Sequence, residues 1–231
     1  MSSVLESIRE RALAQPQQIL LDDGQHTLNA AELWQAIQLL RAWVQANGCQ
    51  SIAIAGDNSF GWIISDLALL ELPVRVIPLP TFFSAAQIAH VLSDAGVDTL
   101  LAPAAVLESF TGASVHSAEI LSVDYDIAAA RLDGVPAATH ITAYEKITFT
   151  SGSTGTAKGV RLSLATLENT ARAIAAALHY TNPADPAAVK LQTMLATQGI
   201  DAVLESVCGI DPHGELAALI KAQGMLQNLV V

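Results

Sequence analysis

The residues of this chain best suited to chemistry stand in one short run, Thr150-Ser151-Gly152-Ser153-Thr154-Gly155-Thr156-Ala157-Lys158-Gly159. It holds three glycines, five hydroxyl side chains and one lysine between two apolar stretches. A phosphate group binds this kind of surface. Glycines let the backbone turn so that successive N–H groups point inward as an anion nest, and hydroxyls add further donors. A lysine beside them supplies positive charge against the charge that develops on phosphates during transfer. The run is not a Walker loop, which places glycine directly before the lysine and Ser or Thr after it; here Ala157 and Gly159 flank Lys158. Nor does a helix follow directly, because Gly159–Ser163 reads as extended. The competing reading is a solvated Ser/Gly linker. Strand-like flanks and the lone lysine weigh toward phosphate.

Other reactive side chains are more simply structural. Asp57-Asn58-Ser59 follows an apolar strand at its carboxyl end, where ligands often bind, but a helix N-cap explains the run as well. His90 falls off the apolar face of its helix and reads as solvated, and the remaining histidines show no metal-ligand spacing. Cys49 and Cys208 lie far apart and suggest neither a disulfide framework nor a ligand set.

To position the glycine loop the chain must supply strands on both sides of it. Tyr144–Thr150 and Gly159–Ser163 read as those strands. Upstream, residues 2–15 place Val4, Leu5, Ile8, Ala12 and Leu13 at helical spacing, ending at Pro16. Gln18–Asp22 is a short strand closed by an Asp23-Gly24 turn. Asn29 with Glu32 three residues later forms a capping box; the helix it opens carries Leu33, Ile37, Leu40 and Val44 on one face and stops at Gly48. Ser51–Ala55, Val74–Leu79 and Val97–Leu101 are short apolar strands. A helix over Ser59–Leu72 separates the first two. A second helix, capped by Ser84 and Gln87 and carrying Ile88, Val91, Leu92 and Ala95, ends at Gly96.

Short apolar strands alternating with helices imply right-handed βαβ crossovers. The fold class is therefore α/β, a parallel sheet with helices on both faces. Residues 102–142 carry one short helix and one strand, Ile120–Val123. Ser163 opens an Ala-rich helix to about Tyr180, and residues 185–230 read as three short helices with no β signal. The chain thus divides into an α/β part over 1–168 and an all-α tail over 169–231, with the boundary somewhere in 165–185.

Composition bounds the function. Hydrophobic residues make up 52% and charged residues 14%, against about 25% charged in ordinary globular domains. This excludes intrinsic disorder. The net charge of -11 and the absence of any basic run exclude a duplex nucleic-acid binder, which must neutralise phosphates. The most apolar stretch, Phe60–Pro80, is broken by Asp66, Glu71, Pro73 and Arg75 and cannot span a bilayer as a helix. The first helix carries Glu6, Arg9, Glu10 and Arg11 rather than a signal-peptide core. A cytoplasmic, soluble protein with no transmembrane segment is expected. So much apolar sequence with so little charge also predicts exposed apolar surface and self-association.

The string Ile147–Val160 resembles the signature phosphate loop of the acyl-adenylate-forming (AMP-binding) superfamily. That superfamily comprises acyl-CoA synthetases, firefly-luciferase-type enzymes and the adenylation domains of non-ribosomal peptide synthetases. His26–Leu33 is similar to the family's early strand–helix motif, and Leu69–Pro80 stands where the family has a helix-to-strand passage ending in a Val-Pro-type sequence. The resemblance runs from about residue 2 to about residue 170. It departs at Ala157, where proline is common, and near Leu72-Pro73, where a glycine is usual.

The resemblance implies ATP as substrate, with Mg²⁺ bridging its β- and γ-phosphates. Thr150, Ser151, Gly152, Ser153, Thr154, Gly155 and Gly159 would cradle phosphate, and Lys158 would assist electrostatically. A carboxylic acid would be activated as its acyl-adenylate, and the acyl group then passed to a thiol of coenzyme A or of a carrier protein. It implies no metal ligand from the protein and assigns no catalytic residue.

The family's aromatic-Gly-x-Thr-Glu segment, ribose-binding aspartate motif and C-terminal lysine region are not found in residues 170–231. The expectation is a ligase-like chain that is truncated and weakly active or inactive. The alternatives are a non-catalytic nucleotide- or partner-binding fragment and a fusion product without function. The tail, about 171–222, resembles the helical C-terminal end of mannitol-phosphate dehydrogenases through Ile174–Pro186 and Cys208–Pro212. That resemblance implies a junction within the Ala-rich helix.

Overall fold

The computed structural model describes residues 3–110, 115–132, 141–150 and 158–170. The chain divides into two units, Met1–Leu164 and Ala165–Val231, and the architecture below is that of the first. The reading of residues 185–230 as short helices lies outside the described residues.

Local sequence signals set the early elements. Helix α1 (Ser3–Ala14) packs on α2 (Ala30–Ala46) through buried Leu5 and Ile8, while Leu13 at its last turn is exposed. Strands β1 (Ile19–Asp22) and β2 (Thr27–Asn29) form an antiparallel pair around the Asp23-Gly24 turn, where Gly24 takes φ +83°. The capping box is present: Asn29 Oδ1 accepts from the Glu32 N–H at 2.9 Å, and Glu32 Oε2 accepts from the Asn29 N–H at 3.0 Å. These bonds satisfy donors that the first turn of α2 cannot pair internally. Gly48, at φ +60°, follows the end of α2 as the C-cap reading requires.

A seven-stranded sheet forms the body. Its members are β3 (Ser51–Ile54), β4 (Arg75–Pro78), β5 (Thr99–Ala102), β6 (Val115–Ser122), β7 (Ile127–Leu132), β8 (Glu145–Thr150) and β9 (Lys158–Ser163), in the order β6-β7-β5-β3-β4-β8-β9. The four central strands β5, β3, β4 and β8 are parallel. Helices α3 (Phe60–Leu69) and α4 (Ala85–Asp94) follow β3 and β4, and α5 (Ala104–Ser109) follows β5. At the edges the sheet is antiparallel: β6–β7 and β8–β9 are hairpins, and β7 runs antiparallel to β5. The parallel sheet expected from sequence is thus the centre of a mixed one. A short connection can join only antiparallel neighbours, whereas parallel strands need a crossover.

Both faces of the sheet are covered. Ala53, Ile77, Leu100, Ile147 and Phe149 pack with α4 and α5 in one core. The alternate residues Ile52, Ile54, Val76 and Leu101 are buried on the other side, which α3 covers with α2 behind it. Burial from both sides explains why β3, β4 and β5 are buried at every position and read as unbroken apolar runs. Helix α4 begins at the second capping box, Ser84 with Gln87.

Candidate functional site

The four parallel strands end at one edge of the sheet. There β8 delivers Thr150, half-buried, and β9 begins with Lys158 and Gly159, both exposed. The hairpin register pairs Thr150 with Lys158 and Phe149 with Gly159. The structure therefore brings together Thr150, Lys158 and Gly159 of the residues singled out by sequence. Ser151, Gly152, Ser153, Thr154 and Gly155 lie outside the described residues. Among the described residues, no carboxylate lies at ion-pair distance from Lys158, so nothing described competes with an anion for its charge. Alternation along β8 puts Ile147 and Phe149 into the α4 core and turns Lys146, Thr148 and Thr150 to the opposite face.

On that opposite face β8 is fixed to α3. The Lys146 ammonium, buried, lies 2.7 and 2.8 Å from the two carboxylate oxygens of Asp66. Tyr144 is buried beside β8 with a hydroxyl that has no hydrogen-bond partner among the described residues. Burial first, and the Asp66 charge second, push its phenol far above the ordinary range. Between Tyr144 and Lys146, Glu145 accepts from Arg75 Nε at 2.6 Å and ties β8 to β4.

At the carboxyl ends of β3 and β4 lies a crevice of about 560 Å³ between α4 and α5, walled by Ile88, Leu92, Val106 and Phe110 and floored by the loops after those two strands. Strand β3 leads to α3 on one face of the sheet, and β4 and β5 lead to α4 and α5 on the other. The crevice therefore opens where the chain switches faces at the carboxyl ends, the place where open α/β sheets hold ligands. Its polar groups are few, chiefly Asp57 and Thr81. Gly56 at its mouth takes φ +116°, and a Cβ there would stand 2.9 Å from the Pro103 ring. Sequence reading did not assemble this crevice. The signal available was the pair of strand ends Ala55-Gly56-Asp57 and Leu79-Pro80-Thr81.

The capping reading of Ser59 and the solvated reading of His90 hold. Ser59 caps α3, its Oγ accepting from the Trp62 N–H at 3.1 Å, and His90 is exposed. Cys49 is buried with its thiol pushed up by burial, and Arg131 Nη1 donates to its Sγ at 3.1 Å. No group of three metal-ligating side chains occurs among the described residues. No described helix is long and apolar enough to cross a membrane.

A model of the family described as AMP-binding enzyme matches residues 8–198. Phosphinothricin tripeptide synthetase PhsC of Streptomyces viridochromogenes is 26% identical over 231 residues, covering 93% of this chain and 21% of that protein. Enniatin synthase of Fusarium equiseti is 27% identical over 168 residues, covering 70% of this chain. The chain spans 5% of the length of that synthase. Mannitol-1-phosphate 5-dehydrogenase of Bacillus subtilis is 46% identical over 50 residues, 22% of this chain and 13% of that enzyme. The family match extends into residues 171–198, part of the stretch that resembles the dehydrogenases by sequence.

Two solved structures share the fold. The inhibitor-bound N-terminal domain of FACL13 from Mycobacterium tuberculosis superposes with a TM-score of 0.55 at 17% identity, over 77% of this chain and 48% of that one. The o-succinylbenzoate CoA synthetase MenE of Bacillus subtilis, in complex with its acyl-adenylate intermediate, gives 0.53 at 23% identity, over 75% of this chain and 46% of that one.

Proposed function

The chain belongs to the AMP-binding enzyme family, and on that premise we propose that its Thr150–Gly159 loop holds the β- and γ-phosphates of ATP during formation of an acyl-adenylate. The observation that carries this reading is the pairing of Thr150 with Lys158 at the carboxyl edge of the parallel strands. That pairing brings the two flanks of the glycine- and hydroxyl-rich segment together at a cation with no described carboxylate partner. Ser151, Gly152, Ser153, Thr154 and Gly155 would add backbone N–H and hydroxyl donors, and Gly159 would let the backbone come close.

In the reaction a carboxylate oxygen of the acid bonds to the α-phosphorus and the bridge to the β-phosphate breaks. Pyrophosphate leaves with the electron pair. Lys158 and the loop donors stabilise the charge that gathers on the departing phosphates. Mg²⁺ arrives with the nucleotide. The described residues hold no acidic cluster to cage it, and this ion is commonly carried by substrate phosphates. The acyl group then passes to a thiol of coenzyme A or a carrier protein.

These 231 residues on their own bind MgATP and turn over weakly, because the family's later motifs are not found among them. Residues 1–168 supply the N-terminal portion of the domain and 169–231 a helical tail, and the cytoplasm, where ATP is plentiful, is the compartment. Calorimetric titration with MgATP and ATP–pyrophosphate exchange over a panel of fatty and aromatic acids test the proposal. Binding with slow exchange is expected. No MgATP binding would overturn the phosphate-loop assignment, and fast exchange would overturn the weak turnover.

A second reading, a non-catalytic binding module, draws on the large apolar side chains left at the surface. Leu39, Phe82, Ile120 and Val123 are each more than half exposed, and such residues gathered in a patch mark interaction sites.

A further inference from the structure

Far from the phosphate loop, at the opposite edge of the sheet, a groove of about 660 Å³ runs between α2 and the β6–β7 hairpin. One wall is a single face of α2. Glu32, Ala36, Leu39 and Trp43 follow one another at intervals of three or four residues, so they line up along the helix. From Glu32 to Trp43 this wall is about 16 Å long, the length of three helical turns. The other wall is the end of β6 and its turn, where Ile120 is 62% and Val123 83% exposed. Leu39 on the facing wall is 66% exposed.

The rim has one sign of charge. Glu32, Glu119 and Asp124 border the groove, and among the described residues no Lys, Arg or His lines it. Trp43 Nε1 donates to Glu119 Oε2 at 3.1 Å across the groove, holding one carboxylate beside the apolar floor. Glu32 stands on the α2 wall and Asp124 on the β6–β7 turn opposite, so acids border both sides of the groove.

We propose that this groove is the docking site of an amphipathic helix from a partner protein, with large apolar anchors on one face and lysines or arginines flanking them. The straight apolar trough suits anchors spaced i, i+3, i+4 and i+7. The acidic rim selects basic flanks and repels acidic ones, and it speeds encounter at low salt. The same rim disfavours a symmetric second copy, which would set three carboxylates against three, and it disfavours nucleic acid. The site makes no use of ATP and stands apart from the acyl-adenylate reading.

The test is fluorescence anisotropy on the full 231-residue chain. The probe is a labelled 14-residue peptide of leucine and lysine patterned as an amphipathic helix, compared with a twin carrying glutamate in place of lysine. The basic peptide should bind at least tenfold more tightly than its acidic twin at 50 mM salt and weaken several-fold at 300 mM. Leu39→Glu should weaken it at least tenfold. That side chain is mostly exposed, so the variant should fold normally, which circular dichroism checks. Glu119→Lys combined with Asp124→Lys should invert the preference between the twins. Equal binding of the two peptides, or binding unchanged in Leu39→Glu, overturns the proposal. So does a dimer, seen by light scattering, that Leu39→Glu dissolves while neither peptide binds; that outcome assigns the groove to a second copy.

Discussion

Phe149 lies across Gly159. The two are register partners in the β8–β9 hairpin, and a Cβ built on Gly159 would stand 3.2 Å from Phe149 Cζ and 2.7 Å from Ile147 Cγ2. The glycine next to the phosphate-loop lysine therefore has a packing reason as well as its proposed part in phosphate binding. It leaves room for a fully buried aromatic ring that closes the α4 core under the loop. Gly159→Ala should destabilise the fold by about 1–3 kcal/mol through overpacking, read as a lower urea midpoint. Phe149→Leu in the Gly159→Ala background should recover part of the loss.

Lys158 stands at the mouth of the same hairpin, exposed, with no described carboxylate partner. Its removal should leave stability within about 0.5 kcal/mol of the parent, as for most surface substitutions. Lys158→Ala should nevertheless weaken MgATP by roughly tenfold, about 1.4 kcal/mol. Calorimetric titration reads the affinity and a thermal melt reads the stability. An unchanged affinity would remove Lys158 from the site.

What the sequence made legible was whatever is local or buried on both sides. The capping boxes at Asn29 and Ser84 are decided by residues three apart, and both form as read. Strands β3, β4 and β5 are covered from both faces, so their apolar runs stand out. Strand β7 was hidden because Ala128-Ala129-Ala130 has the composition of a helix. It is a strand because β5 and β6 pair with both its edges, with its alanines buried between layers on either side. On one of those layers Gly61 of α3 comes against the Tyr125 carbonyl so closely that a Cβ has no room.

The site was legible only in part, for the same reason. The loop and its two strands are contiguous in sequence, so Thr150, Lys158 and Gly159 could be placed together before the fold was known. The crevice between α4 and α5 is assembled from the loops after β3 and β4 and from two separate helices, and only the strand order brings them together. Asp66 read as an interruption of an apolar stretch. Its partner Lys146 is 80 residues away, beyond the reach of any local pattern.

Glu145 and Arg75 form the ion pair that sets the amino end of β8 against β4. Arg75 Nε lies 2.6 Å from Glu145 Oε1, and Arg75 Nη1 also donates to the Ala95 carbonyl at 2.9 Å. Their side chains are 10% and 21% exposed. Arg161, 68% exposed and 3.7 Å from Glu145, adds little. Glu145→Ala should cost about 3 kcal/mol, because it strands a buried guanidinium. The double variant Arg75→Met with Glu145→Leu should cost less than the single one, which urea denaturation of the set would reveal. A single variant as stable as the parent would mean that solvent reaches the pair.

Tyr144 offers the sharpest test of the packing at the amino end of β8, because its hydroxyl is buried with no hydrogen-bond partner among the described residues. An unsatisfied buried hydroxyl is a net cost, so Tyr144→Phe should raise stability by about 1 kcal/mol at pH 7. The same substitution should change the response to alkali. Burial and the neighbouring Asp66 charge raise the phenol above its ordinary range, so the folded chain keeps this proton after the unfolded chain has lost it. The stability from the protonated phenol is fully present below about pH 10. It declines above that, with a slope of at most about 1.4 kcal/mol per pH unit. Cys49, whose thiol is also raised by burial, adds a similar decline that starts lower, at about pH 8.5. Urea denaturation between pH 7 and pH 11 separates the two groups. The parent should steepen above pH 10. Tyr144→Phe should lose most of that steepening and keep the smaller part from Tyr125, whose phenol burial also raises. Cys49→Ala should lose the earlier decline. If Tyr144→Phe is less stable than the parent at pH 7, the hydroxyl has a partner and the assignment of an unsatisfied group beneath β8 is wrong.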